Sequence, residues 1–271
     1  MTNELAFYVY CIAETAAVAQ LRAESLPSAI EEGTELEWIK AGILSALSSR
    51  VPLESYSEER LAEHLSDANW TAVRAMRHQA VMEYVAQRAA IVPVRFGTIY
   101  LKRAGVERML DENVSELVQM LERLNGREEW GVNVFCDQSI LMSSITSVSP
   151  VLRELSDKAA QASPGQSYLM QKKIDALKVD ETRATLGLII EEIEKALSEA
   201  SDDAKRLRVL KVEATEHGEL RAKFAFLVEK SEFLRFRDTA ERLAQEHQTA
   251  GVRLELTGPW PAYNFTAFNQ I

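Results

Sequence analysis

Histidines, cysteines and clustered carboxylates are where protein chemistry most often starts, and this chain of 271 residues has four histidines and two cysteines. His64, His78, His217 and His247 fall on different expected elements. No Cys/His spacing matches a zinc site, and neither a phosphate-cradling glycine loop nor a nucleophile elbow occurs. His78 is the best general-base candidate, because Arg74 and Arg77 stand within about one helical turn of it. With no nucleophile or ligand pattern beside it, His78 reads as a structural histidine. The run Glu191-Glu192-Ile193-Glu194-Lys195 offers carboxylates to a cation, but i,i+4 pairing on a solvated helix face accounts for it. Cys11 and Cys136, one in each of two expected strands, read as small buried hydrophobes rather than a redox pair. The expectation is a chain that is not an enzyme and holds no metal and no cofactor.

The balance of the chain sets further limits. Apolar residues make up 46 % and charged residues 27 %, an ordinary globular composition at a length that suits two modest domains. The net charge of −10, from 31 Lys and Arg against 41 Asp and Glu, repels phosphate backbones and anionic lipid. No basic patch offsets it, so neither nucleic acid nor membrane is an expected partner. No apolar run reaches the roughly 20 residues that span a bilayer. The start MTNELAFYVY lacks a basic stretch and a small-residue cleavage site, so a cytoplasmic location is expected.

The elements that must position any site are then read from periodicity. LAFYVYCIA, residues 5–13, is a β-branched and aromatic run, expected as a strand buried on both faces. A second strand is expected over 35–47, a short helix over 57–65, and a longer helix from Asp67 with Trp70, Val73, Val81, Tyr84 and Val85 on its apolar stripe. Pro93 marks a strand start or an edge, and Gly97 ends that segment. A helix with Val106, Leu110, Leu117, Leu121 and Leu124 inward leads to EWGVNVFC, whose alternation of Trp130, Val132, Val134 and Cys136 completes a first α+β domain over 1–137.

The second domain is expected over 138–271. It begins with helices broken at Pro150 and at Ser163-Pro164-Gly165. A hairpin turning at Glu216-His217-Gly218-Glu219 follows, then a helix from Ser231 to about Gln248 and a last strand, VRLEL. Hairpin, helix and strand make most of a ferredoxin-like, split β-α-β arrangement. The fold class is α+β, in two domains with long helical segments.

Three stretches exceed what that reading requires: VPVRFGTIY at 92–100, EEWGVNVF at 128–135 and LTGPWPAYNF at 256–265. With Tyr8-Val9-Tyr10, His78 and the helix start Tyr168-Leu169-Met170-Gln171-Lys172, they occur in an order that resembles the gas vesicle accessory proteins of the GvpL/GvpF family. Departures are small: Cys11 stands where glycine is expected, Asn133 where lysine is expected, and Ala262 in place of a second proline. Asn133 removes a charge that would have suited an acidic partner.

The resemblance implies a non-catalytic assembly factor, gas vesicle associated, that contacts the hydrophobic shell subunit and other gas vesicle accessory proteins. Its candidate partner-binding residues are Arg95, Phe96, Glu129, Trp130, Trp260, Tyr263 and Phe265. Pro93, Gly97, Gly131, Gly258, Pro259 and Pro261 are expected to shape the backbone around them. For each aromatic a packing role competes with a docking role. Trp260, held between two prolines, is expected to be buried, and Phe265 and Phe268 to be partly exposed. VRLEL is expected as a central strand. A ferredoxin-like ligand-binding regulatory module is the alternative function, on fold analogy alone.

Overall fold

The computed structural model describes residues 4–21, 26–209, 214–215 and 218–266. The chain divides into two compact units, one of residues 1–128 with 260–271 and the other of 129–259.

The first unit is built on β1 (Leu5–Glu14), α1 (Thr15–Leu21), β2 (Leu36–Ala41), β3 (Leu44–Pro52), α2 (Leu53–Tyr56), α3 (Glu58–His64), α4 (Ala68–Ala86), β4 (Val92–Pro93), β5 (Ile99–Tyr100), α5 (Arg103–Glu112) and α6 (Val114–Leu124). Its sheet runs β2-β3-β1-β4, with β5 also on β1. Every residue of β1 between its two ends is buried, because helices cover both faces of the sheet. Tyr8, Tyr10, Cys11 and Ala13 join Val81, Met82 and Val85 of α4 in one cluster. Phe7, Val9 and Ile12 join Val106, Leu110, Leu117 and Leu121 of α5 and α6 in another. Where one strand is expected over 35–47 there is a hairpin, β2 and β3 pairing Ala41 with Leu44 across Gly42, whose φ of +55° favours glycine. The helix expected across 106–124 is two helices, with Asn113 between them donating its side-chain amide to Met109 O at 2.7 Å.

The second unit comprises β6 (Arg127–Cys136), α7 (Gln138–Val148), α8 (Pro150–Ala160), α9 (Pro164–Ser198), β7 (Asp203–Leu207), β8 (Ala214–Thr215), β9 (Gly218–Glu229), α10 (Phe233–His247) and β10 (Val252–Trp260). The breaks at Pro150 and Pro164 fall where expected, each proline opening a helix whose N-cap is a serine. Trp130, Val132, Val134 and Cys136 of β6 share a core with Leu141, Ile145, Leu152, Ile189, Ile193, Leu197, Phe236 and Leu243. That core supports the C-terminal half of α9. Of the turn expected at 216–219, residues 216 and 217 lie outside the described residues, and Thr215 pairs with Gly218.

The sheet order here is β10-β6-β9-β7. With β6 as its first strand, the unit reads β-α-β-β-α-β in full. Three observations depart from expectation, and strand pairing is the reason for each. β6 pairs with β9 and β10 rather than closing the first unit, so the chain divides ahead of it instead of at 137/138. β10 is an edge strand, not a central one. Residues from Trp260 onward belong to the first unit rather than the second. The first unit shows the same plan: its first strand, β1, lies between the third and fourth, and its second strand is at the edge.

Candidate functional site: a buried tyrosine–histidine cluster and the C-terminal segment

Two irregularities in the first sheet build the site. Tyr8 and Tyr10 share the α4 side by ordinary alternation, and the β1–β3 register shift between Val9 and Cys11 resets that alternation so that Cys11, next to Tyr10, falls on the same side. On the other flank, Cys11 pairs with Pro93 and Tyr8 with Ile99, so residues 94–98 lie opposite residues 9 and 10 alone. Val94 N–H to Tyr10 O (2.9 Å) and Val9 N–H to Thr98 O (3.0 Å) clamp that loop at both ends. The extra residues are Arg95, Phe96 and Gly97. Gly97 takes φ +86°, and a Cβ there would stand 3.3 Å from Leu61 Cδ2, so glycine is favoured and a larger residue strained. The P-x-x-F-G-T motif is thus a wide bulge that turns Phe96 toward β1 and leaves Arg95 exposed.

Helix α4 supplies the third side. Asp67 caps it, accepting from the N–H groups of Asn69 and Trp70 at 2.9 and 3.2 Å. His78 lies on the stripe of Val81, Met82 and Val85 and is buried, with 4 % of its surface exposed. Its ring stacks on Tyr10, centroids 5.6 Å apart, and meets Tyr8 and Phe96 edge-on at 5.7 and 5.5 Å.

Both imidazole nitrogens have hydroxyl partners. Nδ1 lies 2.9 Å from Tyr8 Oη, and Nε2 lies 2.9 Å from Tyr263 Oη. Tyr8 Oη already accepts the Gly97 N–H at 3.2 Å. The neutral ring donates through one nitrogen and accepts at the other, so one of the two tyrosines donates to it and the other accepts from it. Burial drives the His78 pKa down from the usual histidine range to about 4, so the ring is neutral at pH 7. Burial also raises Tyr8 well above the ordinary tyrosine range and lifts Tyr10 to about 12.

A second set of hydrogen bonds flanks this one. Tyr10 Oη accepts from Ile30 N–H at 2.8 Å and lies 2.8 Å from Ser49 Oγ. Tyr56 Oη donates to Glu31 Oε1 at 2.5 Å. Arg74 donates to Glu31 and to Tyr56 Oη, with its guanidinium 3.9 Å from the Trp70 ring centroid. Arg77 donates to Ile30 O at 3.2 Å and stands 3.7 Å from Glu32. The two arginines that marked His78 as a candidate base therefore spend their charge on residues 30–32.

The terminal segment is the fourth side. Gly258, Pro259 and Trp260 are exposed, Trp260 at 42 %, whereas Pro261 and Phe265 are buried, Phe265 at 3 %. This reverses the expected burial of Trp260 and exposure of Phe265. After Pro261 the chain enters a 3-10 turn, Tyr263–Phe265, which carries the Tyr263 hydroxyl to His78. Phe268 lies outside the described residues. The remaining candidates sit elsewhere: in the second unit Glu129 is buried at 4 %, and Trp130 stacks on Phe233 with centroids 4.1 Å apart.

Tyr8, His78, Phe96, Gly97 and Tyr263, drawn from four of the sequence stretches singled out above, thus converge on one centre. Tyr56 and Glu31 join it without having been marked in the sequence. Nothing in their local spacing points to a histidine nearly fifty residues from one and more than twenty from the other. Chemically, the cluster uses its ionisable groups to hold chain segments together. It defines a two-unit α+β protein whose central histidine is a structural fastener.

Comparison with known proteins supports the α+β fold and gives the family. The chain belongs to the gas vesicle synthesis protein GvpL/GvpF family, whose model matches residues 6–267. It is 26 % identical over 228 residues to gas vesicle protein L of Streptomyces sp. (strain CB03234), covering 84 % of this chain and 81 % of that one. It is 29 % identical over 193 residues to gas vesicle protein F of the same strain, covering 70 % and 76 %. The crystal structure of GvpF from Anabaena sp. PCC7120 has the same fold at a TM-score of 0.65 and 15 % identity, with 98 % of each chain covered. GvpF from Microcystis aeruginosa gives a TM-score of 0.58 at 16 % identity, covering 96 % of this chain and 98 % of that one. The family assigns the chain a role in gas vesicle formation.

Proposed function

We propose that this chain is a non-catalytic, cytoplasmic assembly factor that binds the hydrophobic gas vesicle shell subunit and, with it, other gas vesicle accessory proteins. The observation that carries this reading is Trp260, 42 % exposed at the end of edge strand β10 and preceded by the exposed Gly258 and Pro259. An edge strand offers its backbone to an added strand, and a tryptophan on a stiff proline-flanked backbone anchors an interface at low entropic cost. A subunit with a water-repelling face needs such a partner before it is incorporated, because exposed apolar surface in water drives aggregation. Family membership supports the gas vesicle context of this reading.

Co-expression with a gas vesicle shell subunit, followed by affinity capture, tests it. The full chain captures the subunit, and Trp260→Ala weakens capture by roughly 30-fold, about 2 kcal/mol, at unchanged melting temperature. Capture by Trp260→Ala equal to that of the parent chain overturns the assignment of Trp260. Failure of the full chain to capture the subunit at all overturns the reading.

A further inference from the structure

We propose that His78 and Tyr263 form a proton-sensitive latch: while His78 is neutral the segment 260–266 stays seated on the first unit, and protonation of His78 releases it. The latch stands on its own geometry. Its consequence for partner binding rests on the function proposed above, since release would free Trp260 from the fixed support that presents it.

Three observations lead here. His78 is 4 % exposed, both of its nitrogens are used, and one of them is used by a residue 185 positions away in sequence. Tyr263 reaches it from a single 3-10 turn. That turn is held locally by two backbone hydrogen bonds, Tyr263 N–H to Pro261 O at 2.7 Å and Phe265 N–H to Ala262 O at 3.1 Å. An isolated turn of this kind is a weak element by itself, so its seating depends on what its side chains grip.

The groups around the ring explain why a proton acts on this contact. Tyr8 and Tyr10 of β1, Tyr56 of α2 and Tyr263 face the cluster as neutral hydroxyls. Of the charged groups flanking the cluster, Arg74 and Arg77 on α4 pair with Glu31 and Glu32, and Arg95 is exposed on the bulge. No carboxylate hydrogen-bonds the ring among the described residues, so no bonded opposite charge offsets the burial of an imidazolium. With the segment seated, the charged ring is cut off from water; with it lifted, Nε2 is hydrated and the pKa rises from its seated value toward the ordinary one.

The sign follows from linkage. The seated state titrates near pH 4 and the lifted state above it, with the ordinary histidine value of about 6.5 as the upper bound. The lifted state therefore binds more protons throughout that window, and acid favours it. The lifted fraction is flat above about pH 6.5, rises by up to tenfold per pH unit between there and pH 4, and is flat again below.

Hydrogen exchange read by mass spectrometry on the full chain, corrected for the intrinsic pH dependence of exchange, tests this without any partner protein. In the parent chain, peptides covering 260–266 lose protection progressively from pH 6.5 to 4, by tenfold or more in total, while peptides from β1, β3 and α4 keep theirs. In Tyr263→Phe the same peptides exchange at least severalfold faster at pH 7. In His78→Phe, which keeps a buried ring and removes the titration, their protection is lower than in the parent and independent of pH. Protection of 260–266 that does not change with pH in the parent chain overturns the latch, as does its loss only together with the whole first unit. If His78→Phe fails to fold, the parent titration and Tyr263→Phe decide alone. Because shell-subunit capture is not part of this readout, the latch and the proposed function fail independently.

Discussion

Phe265 keeps 3 % of its surface and Trp260 keeps 42 %, although both belong to one short aromatic and proline-rich stretch. Their truncations should separate cleanly. Phe265→Ala is expected to cost about 3–5 kcal/mol in a denaturant titration, as removal of a buried ring does, whereas Trp260→Ala should cost about 1 kcal/mol or less. Tyr10→Phe tests a different kind of debt: it removes the acceptor of the Ile30 N–H and a partner of the buried Ser49, for an expected loss of about 1–3 kcal/mol. Equal stability of Tyr10→Phe and the parent chain would show that water or a rearranged backbone satisfies Ile30. At this scale the sequence was informative about which residues matter and silent about direction. Two prolines stiffen the backbone around Trp260, but they do not determine which neighbour turns inward. The lack of a catalytic companion leads to a structural reading of His78, which is buried, while its two tyrosine partners, 70 and 185 residues distant, leave no trace in local spacing.

At the scale of elements, what could be read locally was read well. The Asp67 cap, the prolines that open α8 and α9, and the alternation of β6 all follow from short-range rules, whereas the helix expected from Ser231 starts at Phe233, after a 3-10 turn over Lys230–Glu232. Two kinds of error have clear causes. Val106, Leu110, Leu117, Leu121 and Leu124 keep one helical phase straight through Asn113, so the break between α5 and α6 does not show in the hydrophobic pattern. Sheet membership, in turn, is a long-range property: β6 alternates perfectly well as a last strand of one domain or a first strand of the next. The 35-residue helix α9 supplies the prediction that belongs here. Gly187 sits inside it with no atom within 4 Å of where a Cβ would be placed. Gly187→Ala should therefore raise stability by about 0.5–1 kcal/mol, seen as a higher midpoint in urea at an unchanged slope. A lower midpoint would mean that the glycine serves a contact outside this chain.

For the molecule as a whole, both units are wound on one plan, β-α-β-β-α-β, with the first strand between the third and fourth in each sheet. Only the second matches what the sequence suggested for a ferredoxin-like domain. In the first, the short, bulged β4 and β5 disguise the fourth strand. The units also differ in how they are closed, because the first takes in residues from beyond the end of the second. A chain ended after Pro259 should accordingly uncover His78, seen as faster carbethoxylation of that histidine by diethyl pyrocarbonate than in the parent chain, while β1, α4 and β3 keep their hydrogen-exchange protection. Equal modification rates in the truncated and parent chains would show that the segment covers nothing in the first unit.

The return of residues 260–266 also sets a timetable. The second unit, residues 129–259, must be made in between, and at roughly 5–20 residues per second that takes on the order of ten seconds. Throughout that interval His78 and Phe96 have emerged from the ribosome while Tyr263 and Phe265 do not yet exist. For that time the nascent first unit holds its histidine and its bulge without the hydroxyl that later closes on them from the far end of the chain.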